Sequence, residues 1–163
     1  MKLNSTIEAD EIDIRLLQAL QTDASPSNQA LAEMTHISPP TCLRRIKRLH
    51  DLGLIERQVA VLNADRLKAV TGAGLTAIIE VTLVEQTEGL LAAFETRASQ
   101  EAAVQQCYRV SPGPDLILIA QVRDMPEYLA LAQRLFTQDT KVRNVKAFFS
   151  LKRAKFSTDI AWL

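Results

Sequence analysis

Between Ser38 and Gly53 the chain reads SPPTCLRRIKRLHDLG, and Arg44, Arg45, Lys47 and Arg48 fall close together there with no acid before Asp51. Guanidinium and ammonium groups in such a cluster bind anions. At about 100° per residue, a helix over this stretch carries Thr41, Arg44, Arg48 and Asp51 on one side and Cys42, Leu43, Ile46, Leu49 and His50 on the other. Arg45 and Lys47 flank the polar side. In a DNA major groove such a helix sends arginine to guanine edges or phosphates and threonine to a phosphate or a thymine methyl. The candidate DNA-binding set is therefore Ser38, Thr41, Arg44, Arg45, Lys47 and Arg48. Thr41, Arg44 and Arg48 would face the groove, while Arg45 and Lys47 hold phosphates. The competing reading is a solvated amphipathic helix whose arginines only keep it soluble.

Other chemistry is thinly represented. The only histidines are His36 and His50. Cys42 and His50 lie roughly 12 Å apart along one helix, too far to share a tetrahedral metal. A glycine-rich phosphate loop, a CxxC pair and paired carboxylates beside a base are all missing from the sequence, so no enzyme, metal or cofactor is expected. Cys42 and Cys107 both fall in apolar-periodic segments and read as buried free thiols. Formal charge is zero, which argues against nonspecific coating of nucleic acid and makes any DNA contact local. No apolar run approaches the roughly 18 residues of a membrane span. The start, MKLNSTIEADEID, is too polar and acidic for a signal peptide, so a cytoplasmic protein is expected.

The elements that must position the basic helix are legible around it. Ser38 is placed to cap it with its hydroxyl, Pro39 suits its first turn, and Gly53 is a C-terminal stop. Ser27 caps a short helix, Asn28 to Met34, whose Leu31 and Met34 face the core beside Ala30. Thr35-His36-Ile37 is then the turn of a helix-turn-helix, with the second helix as the reader. Position 36 calls for a left-handed backbone, which histidine tolerates better than most residues. Upstream, Ile12, Leu16, Leu17 and Leu20 mark a helix from Asp10 to about Thr22, with Asp10, Glu11 and Asp13 complementing its dipole. Residues 1–9 read as a frayed tail.

After Gly53, IERQVAVLN alternates only partly and suits a strand that serves as a wing or a subunit-pairing arm. Residues 63–74 read as a linker holding at most one helical turn, which makes residues 1–62 the first domain. Residues 75–151 then alternate: strand Leu75 to Val84, helix Thr87 to Ser99, strand Ala103 to Val110, the break SPGPD, strand Leu116 to Val122, helix Met125 to Phe136, strand Val142 to Leu151. That order is the ferredoxin-like βαββαβ arrangement. The fold class is α+β, a helix-turn-helix (winged-helix-like) domain followed by a ferredoxin-like domain. Residues 152–163 form a tail, where the run Lys152-Arg153-Ala154-Lys155 reads as solvated and Trp162 as an interface residue. The strand LTAIIEVTLV is apolar on both faces, which predicts packing of one sheet face against a second subunit.

This architecture resembles the Lrp/AsnC (feast/famine) family of bacterial transcriptional regulators. The motifs that carry the resemblance are ADEIDIRLLQALQ, ISPPTCLRRIKRLHDLGLI, AVLN, and VSPGPDLIL followed by VRDMPEY. It covers the chain from Asp10 to Leu151. The resemblance implies an N-terminal domain that binds double-stranded DNA and a C-terminal domain that forms homodimers, which assemble to octamers or similar forms. It also implies a small effector, commonly an amino acid, near the loop between the second and third strands of the C-terminal domain. Here that loop is Ser111 to Asp115, making Ser111, Gly113 and Asp115 the effector-binding candidates. The chain departs from the family pattern at Pro112, where a glycine is usual, and at Pro114; proline fixes φ and removes an amide donor. The alternative is a metabolite-binding oligomer whose N-terminal helices make protein contacts only.

Overall fold

The computed structural model describes residues 8–71, 74–139 and 141–161. Residues 1–7 of the expected tail, the linker positions 72 and 73, and Trp162 lie outside the described residues. The contacts divide the chain into two compact units. One holds the N-terminal helices together with the chain from Lys155 onward, and the other runs from Leu62 to Ala154.

In the first unit, α1 (Glu11–Thr22) begins one residue later than expected because Asp10 is its cap. The Asp10 carboxylate accepts from the amides of Ile12 and Asp13, and Asp13 accepts from the Asp10 amide in return. This reciprocal box satisfies helix-end donors that would otherwise lack partners. α2 (Asn28–Met34) is capped by the Ser27 hydroxyl, which accepts from Ala30 at 3.2 Å. His36 takes the left-handed backbone the turn requires, with φ 57°. α3 (Pro39–Asp51) then starts on proline and stops at a paired hydrogen-bond motif. The Gly53 amide donates to His50 and the Leu54 amide to Leu49, with Gly53 at φ 71°.

Leu16, Leu31, Ala32, Cys42 and Leu49 form the core of this unit. Two expected core residues fall outside it. Met34 is 58% exposed and Leu43 62% exposed. α2 meets α3 through Leu31 and Ala32, and Leu43 lies about 100° round the helix from Cys42, beyond that contact. His50 is likewise exposed. Ser38 occupies the cap position, but its hydroxyl makes no backbone cap and pairs with the Thr41 hydroxyl at 2.8 Å. The strand expected over 55–63 is not formed. Among the described residues no strand pairs with it, and Val59, Val61 and Leu62 are exposed. From the far end of the chain, Ile160 exchanges two 3.0 Å hydrogen bonds with the Gln21 carboxamide, so this part of the tail is docked rather than free.

The second unit opens with α4 (Ala64–Thr71), a fuller helix than the single turn expected. There follow β1 (Leu75–Leu83), α5 (Glu88–Gln100), β2 (Val104–Arg109), β3 (Leu116–Val122), α6 (Met125–Ala132) and β4 (Val142–Phe149). A π-type turn, Gln133–Thr137, extends α6 and brings Leu135 and Phe136 into the core. The strands pair antiparallel in the order β2-β3-β1-β4, the ferredoxin-like arrangement. Alternate residues of β1 and β3, Ala77, Ile79, Val81 and Leu83 with Leu116, Leu118, Ala120 and Val122, pack under Phe94, Tyr128, Leu131 and Phe136. β4 stops at Phe149, leaving Leu151 fully exposed, and Leu129 on α6 is also exposed. Cys107 is only half-buried, whereas Cys42 is buried; both are free thiols that burial pushes up.

The glycines test this account of the turns. Gly53→Ala places a Cβ in the left-handed region and is expected to lower the unfolding free energy by about 1 kcal/mol. Gly89, near the start of α5, has an ordinary backbone and open space at its Cβ position. Gly89→Ala is expected to raise stability by about 0.5 kcal/mol. Urea denaturation of the two variants checks both signs.

Candidate nucleic-acid interface and ligand loop

The reader helix is held by charge. In α1, Asp13 lies on the same stripe as Leu16, Leu17 and Leu20, and its side chain is 1% exposed. A carboxylate so buried requires donors and a countercharge. Arg45 and Arg48, one helical turn apart on α3, supply both. Arg45 Nη1 reaches Asp13 Oδ1 at 2.7 Å and Asp10 at 2.8 Å, while Arg48 Nη1 reaches Asp13 Oδ2 at 2.7 Å. Arg48 Nη2 also donates to the Glu8 carbonyl. The Arg45 guanidinium is pushed up, first by Asp13 and then by Asp10.

This arrangement redistributes the sequence-derived candidates. Arg45, expected to hold phosphate from the flank of the polar face, is instead committed to Asp10 and Asp13. The reason is its position on α3, one turn from both Cys42 and Leu49, which turns it toward α1. Arg48 is shared, being anchored on Asp13 yet 46% exposed. Arg44 and Lys47 are exposed and make no ion pair or hydrogen bond among the described residues. Thr41 is half-buried beside Ser38. Leu43, assigned from the sequence to the core side, joins Arg44 and Lys47 on the open face, where an apolar side chain suits a thymine methyl. Sequence reading also missed Asp13, although an acid inside the stripe Leu16, Leu17, Leu20 was a signal that a cation must meet it.

The second site is the β2–β3 loop. The Ser111–Pro112 peptide is cis, and Gly113 takes φ 116°, a backbone reserved for glycine. Asp115 is 5% exposed. Its Oδ2 accepts from the Leu83 amide at 2.7 Å, and its own amide donates to Val81 at 2.9 Å, so the loop is tied to β1. Ser111, Gly113 and Asp115 come together at a pocket of about 210 Å³, which Gln86, Leu91 and Arg109 also line. Arg109 faces two acids. It donates from Nε and Nη2 to Glu95 and from Nη1 and Nη2 to Glu88, at 2.6–3.1 Å. Its guanidinium pulls the Glu88 carboxyl below the usual range. Gln86 and Arg109 were not among the sequence-derived candidates, since nothing in their spacing marks them as neighbours of the loop. Among the described residues no cluster of metal-ligating side chains occurs, and no helix is long and apolar enough to cross a membrane.

Two family models match the chain. The AsnC-type helix-turn-helix domain covers residues 10–50, and the Lrp/AsnC ligand binding domain covers residues 76–160. The chain belongs to the Lrp/AsnC family. It is 31% identical to the leucine-responsive regulatory protein of Rhizobium meliloti, over 91% of this chain and 93% of that one. It is 30% identical to the DNA-binding transcriptional activator DecR of Escherichia coli, over 93% and 97% respectively. Among solved structures, an AsnC family regulator from Agrobacterium tumefaciens aligns with TM-score 0.80 at 25% identity, covering 94% of this chain and 97% of that one. A transcriptional regulator from Neisseria meningitidis, solved as a complex with L-Met, aligns equally well at 27% identity over the same shares. The protein is thus a transcriptional regulator with a DNA-binding and a ligand-binding domain, and these relatives are regulators rather than enzymes.

The helix clamp of this Lrp/AsnC regulator is open to direct test. Asp13→Asn removes the charge between Arg45 and Arg48 and is expected to cost about 2–3 kcal/mol by denaturant unfolding. That is below the value for a fully buried pair, because both arginines keep contact with water. The Asp10 carboxyl is held below its ordinary range, chiefly by the Asp13 amide and then by Arg45. A carboxyl depressed in the folded state contributes stability above its unfolded value and loses it as pH falls through the folded value. Melting temperatures of wild type and Asp10→Asn are therefore expected to differ at pH 7 and to converge as the pH falls below about 4.

Proposed function

We propose that this regulator binds specific DNA through the open face of α3 and answers to a small ligand, an amino acid or a close relative of one, at the β2–β3 loop. The observation that carries the reading is the division of the basic residues on α3. Arg45 is spent on Asp10 and Asp13, while Arg44 and Lys47 point away from the core with no partner among the described residues. A helix-turn-helix that leaves its cations free on the second helix suits major-groove entry. In this reading Arg44 and Thr41 contact the groove, Lys47 and the free donors of Arg48 take phosphates, and Ser38 steadies Thr41. Arg45 is a positioning residue.

The bare face of the sheet supports assembly of identical subunits. Ile78 lies opposite Phe148 on one side and Ile119 on the other, an apolar row across three strands, and Tyr108 lies opposite Ile117 in the next row, which continues through Glu80 and Lys146. Ile78, Tyr108 and Phe148 are exposed. Two such faces packed together give a dimer, and dimers joined near the ligand loops give the higher assembly. A ligand bound there favours one assembly over another, and assembly sets the spacing of the reader helices along DNA.

Mobility shifts of the protein on its own upstream DNA, over a salt series, test the first half. The Arg44→Ala, Lys47→Ala double variant is expected to keep its circular dichroism spectrum, lose the specific shift, and flatten the log–log salt slope by about one per phosphate contact removed. Unchanged binding by the folded variant would remove α3 from the interface. For the second half, Ile78→Lys is expected to reduce the assembly to smaller species in analytical ultracentrifugation; a sedimentation profile identical to wild type would refute the sheet-face dimer.

A further inference from the structure

We infer that the leading end of α3 reads the C5 methyl group of a thymine, through Leu43 with Pro40 beside it, and that this contact sets part of the operator sequence. The inference rests on the reading of α3 as the helix that enters the groove, and it adds a specificity-determining residue to that reading.

A single exposed leucine says little on an ordinary surface. The place of Leu43 is what gives it meaning. It is 62% exposed, and its neighbours Arg44 and Lys47 are exposed cations with no ion pair or hydrogen bond among the described residues. One turn back lies Pro40, also exposed. Residues three and four apart share a helix face, so Pro40, Leu43, Arg44 and Lys47 make one stripe, apolar toward the N-terminus and cationic beyond it. Packing within the unit makes no use of Leu43, because α3 enters the core through Cys42 and Leu49, which are fully buried. The cations fix the kind of partner. DNA carries phosphates for them and, on the base edges of its major groove, methyl groups for the leucine.

The same end of the helix is poor in hydrogen-bond donors. Pro39 and Pro40 have no amide to give, and the Cys42 amide is bonded to the Ser38 carbonyl at 2.9 Å. The Thr41 hydroxyl is paired with the Ser38 hydroxyl at 2.8 Å. A helix end built in this way is ill suited to the paired hydrogen bonds by which an arginine specifies guanine. What it offers instead is apolar surface, and the apolar group that a base edge presents in the major groove is the C5 methyl of thymine. Reader helices bring their N-terminal residues nearest the bases, which is where Pro40 and Leu43 stand.

Deoxyuridine tests the contact, because it removes the methyl group and keeps the base pair. On the upstream DNA bound by the full chain, each thymidine of the protected region is replaced in turn and affinity is read by mobility shift. Wild type is expected to lose about fourfold at one thymidine in each half-site, the worth of a methyl group taken from water. Leu43→Ala, at an exposed position, is expected to keep the wild-type circular dichroism spectrum and sedimentation, and to bind the thymidine and deoxyuridine forms of that site alike. Leu43→Met is expected to retain the difference. If no thymidine is sensitive, or if the response survives in Leu43→Ala, the inference is overturned, while loss of binding by the Arg44→Ala, Lys47→Ala variant keeps α3 in the groove. A smaller assembly for Leu43→Ala would assign the residue to a subunit contact and overturn the inference likewise. Unchanged binding by the Arg44→Ala, Lys47→Ala variant would remove α3 from the interface, and the thymine contact with it.

Discussion

The buried carboxylate of Asp13 is the constraint from which the DNA-binding unit takes its form. An acid placed on the apolar stripe of α1 is unfavourable unless cations come to it. The nearest able to do so are two arginines on the reader helix, one turn apart. Their planar guanidinium groups reach two acids at once, which a lysine ammonium at either position would do poorly. The ion pairs thereby fix which way α3 faces α1. Stability is not the main result, since well-packed apolar side chains would serve as well or better. Orientation is the main result: with Arg45 and Arg48 drawn toward α1, Arg44 and Lys47 are turned outward by helical geometry alone. The same carboxylate also closes the Asp10 capping box, so the start of α1 and the bearing of α3 are set by one group.

In the second unit β1 plays the corresponding part. One face of it fills the core through Ala77, Ile79, Val81 and Leu83, and the other presents Ile78. Its end is bonded to the ligand loop, since Val81 accepts from the Asp115 amide and the Leu83 amide donates to the Asp115 carboxylate. The loop is stiff for reasons of composition, two prolines around a glycine with positive φ. The proposed assembly face and the proposed ligand site therefore share a single strand, which provides a short physical route for coupling between them.

Most of the architecture was legible because it depends on local rules. Apolar period and caps placed α2 and β3 at their observed bounds, and the βαββαβ order led directly to the sheet. The turn at His36 and the stop at Gly53 were legible from backbone preference. What escaped depends on neighbours distant in sequence. Met34 and Leu43 carry the right period for burial, yet no surface meets them. The strand expected after Leu54 has no partner among the described residues, and a strand without a ladder is not a strand. At the sites, the residue types were legible but their partners were not. Arg45 reads as one more cation on a basic helix until α1 is laid beside it. Asp115 is a candidate by resemblance alone, and its tie to β1 becomes visible only when Leu83, far back in the chain, donates to it.

Arg48 shows why a sorting of basic residues into structural and DNA-contacting is too coarse. A guanidinium has five N–H donors. Here one bonds Asp13 through Nη1 and another bonds the Glu8 carbonyl through Nη2. The remaining donors lie on a side chain that is nearly half exposed, one turn along α3 from Arg44. In the proposed interface a residue anchored in this way loses little conformational freedom on meeting a phosphate, because its position has already been set by Asp13. Lys47 has no such anchor and must be ordered at the moment of binding. Lys47 and Arg48 thus set a free donor beside a preset one at adjacent positions of α3, and the preset donor is held by the acid buried in the helix opposite.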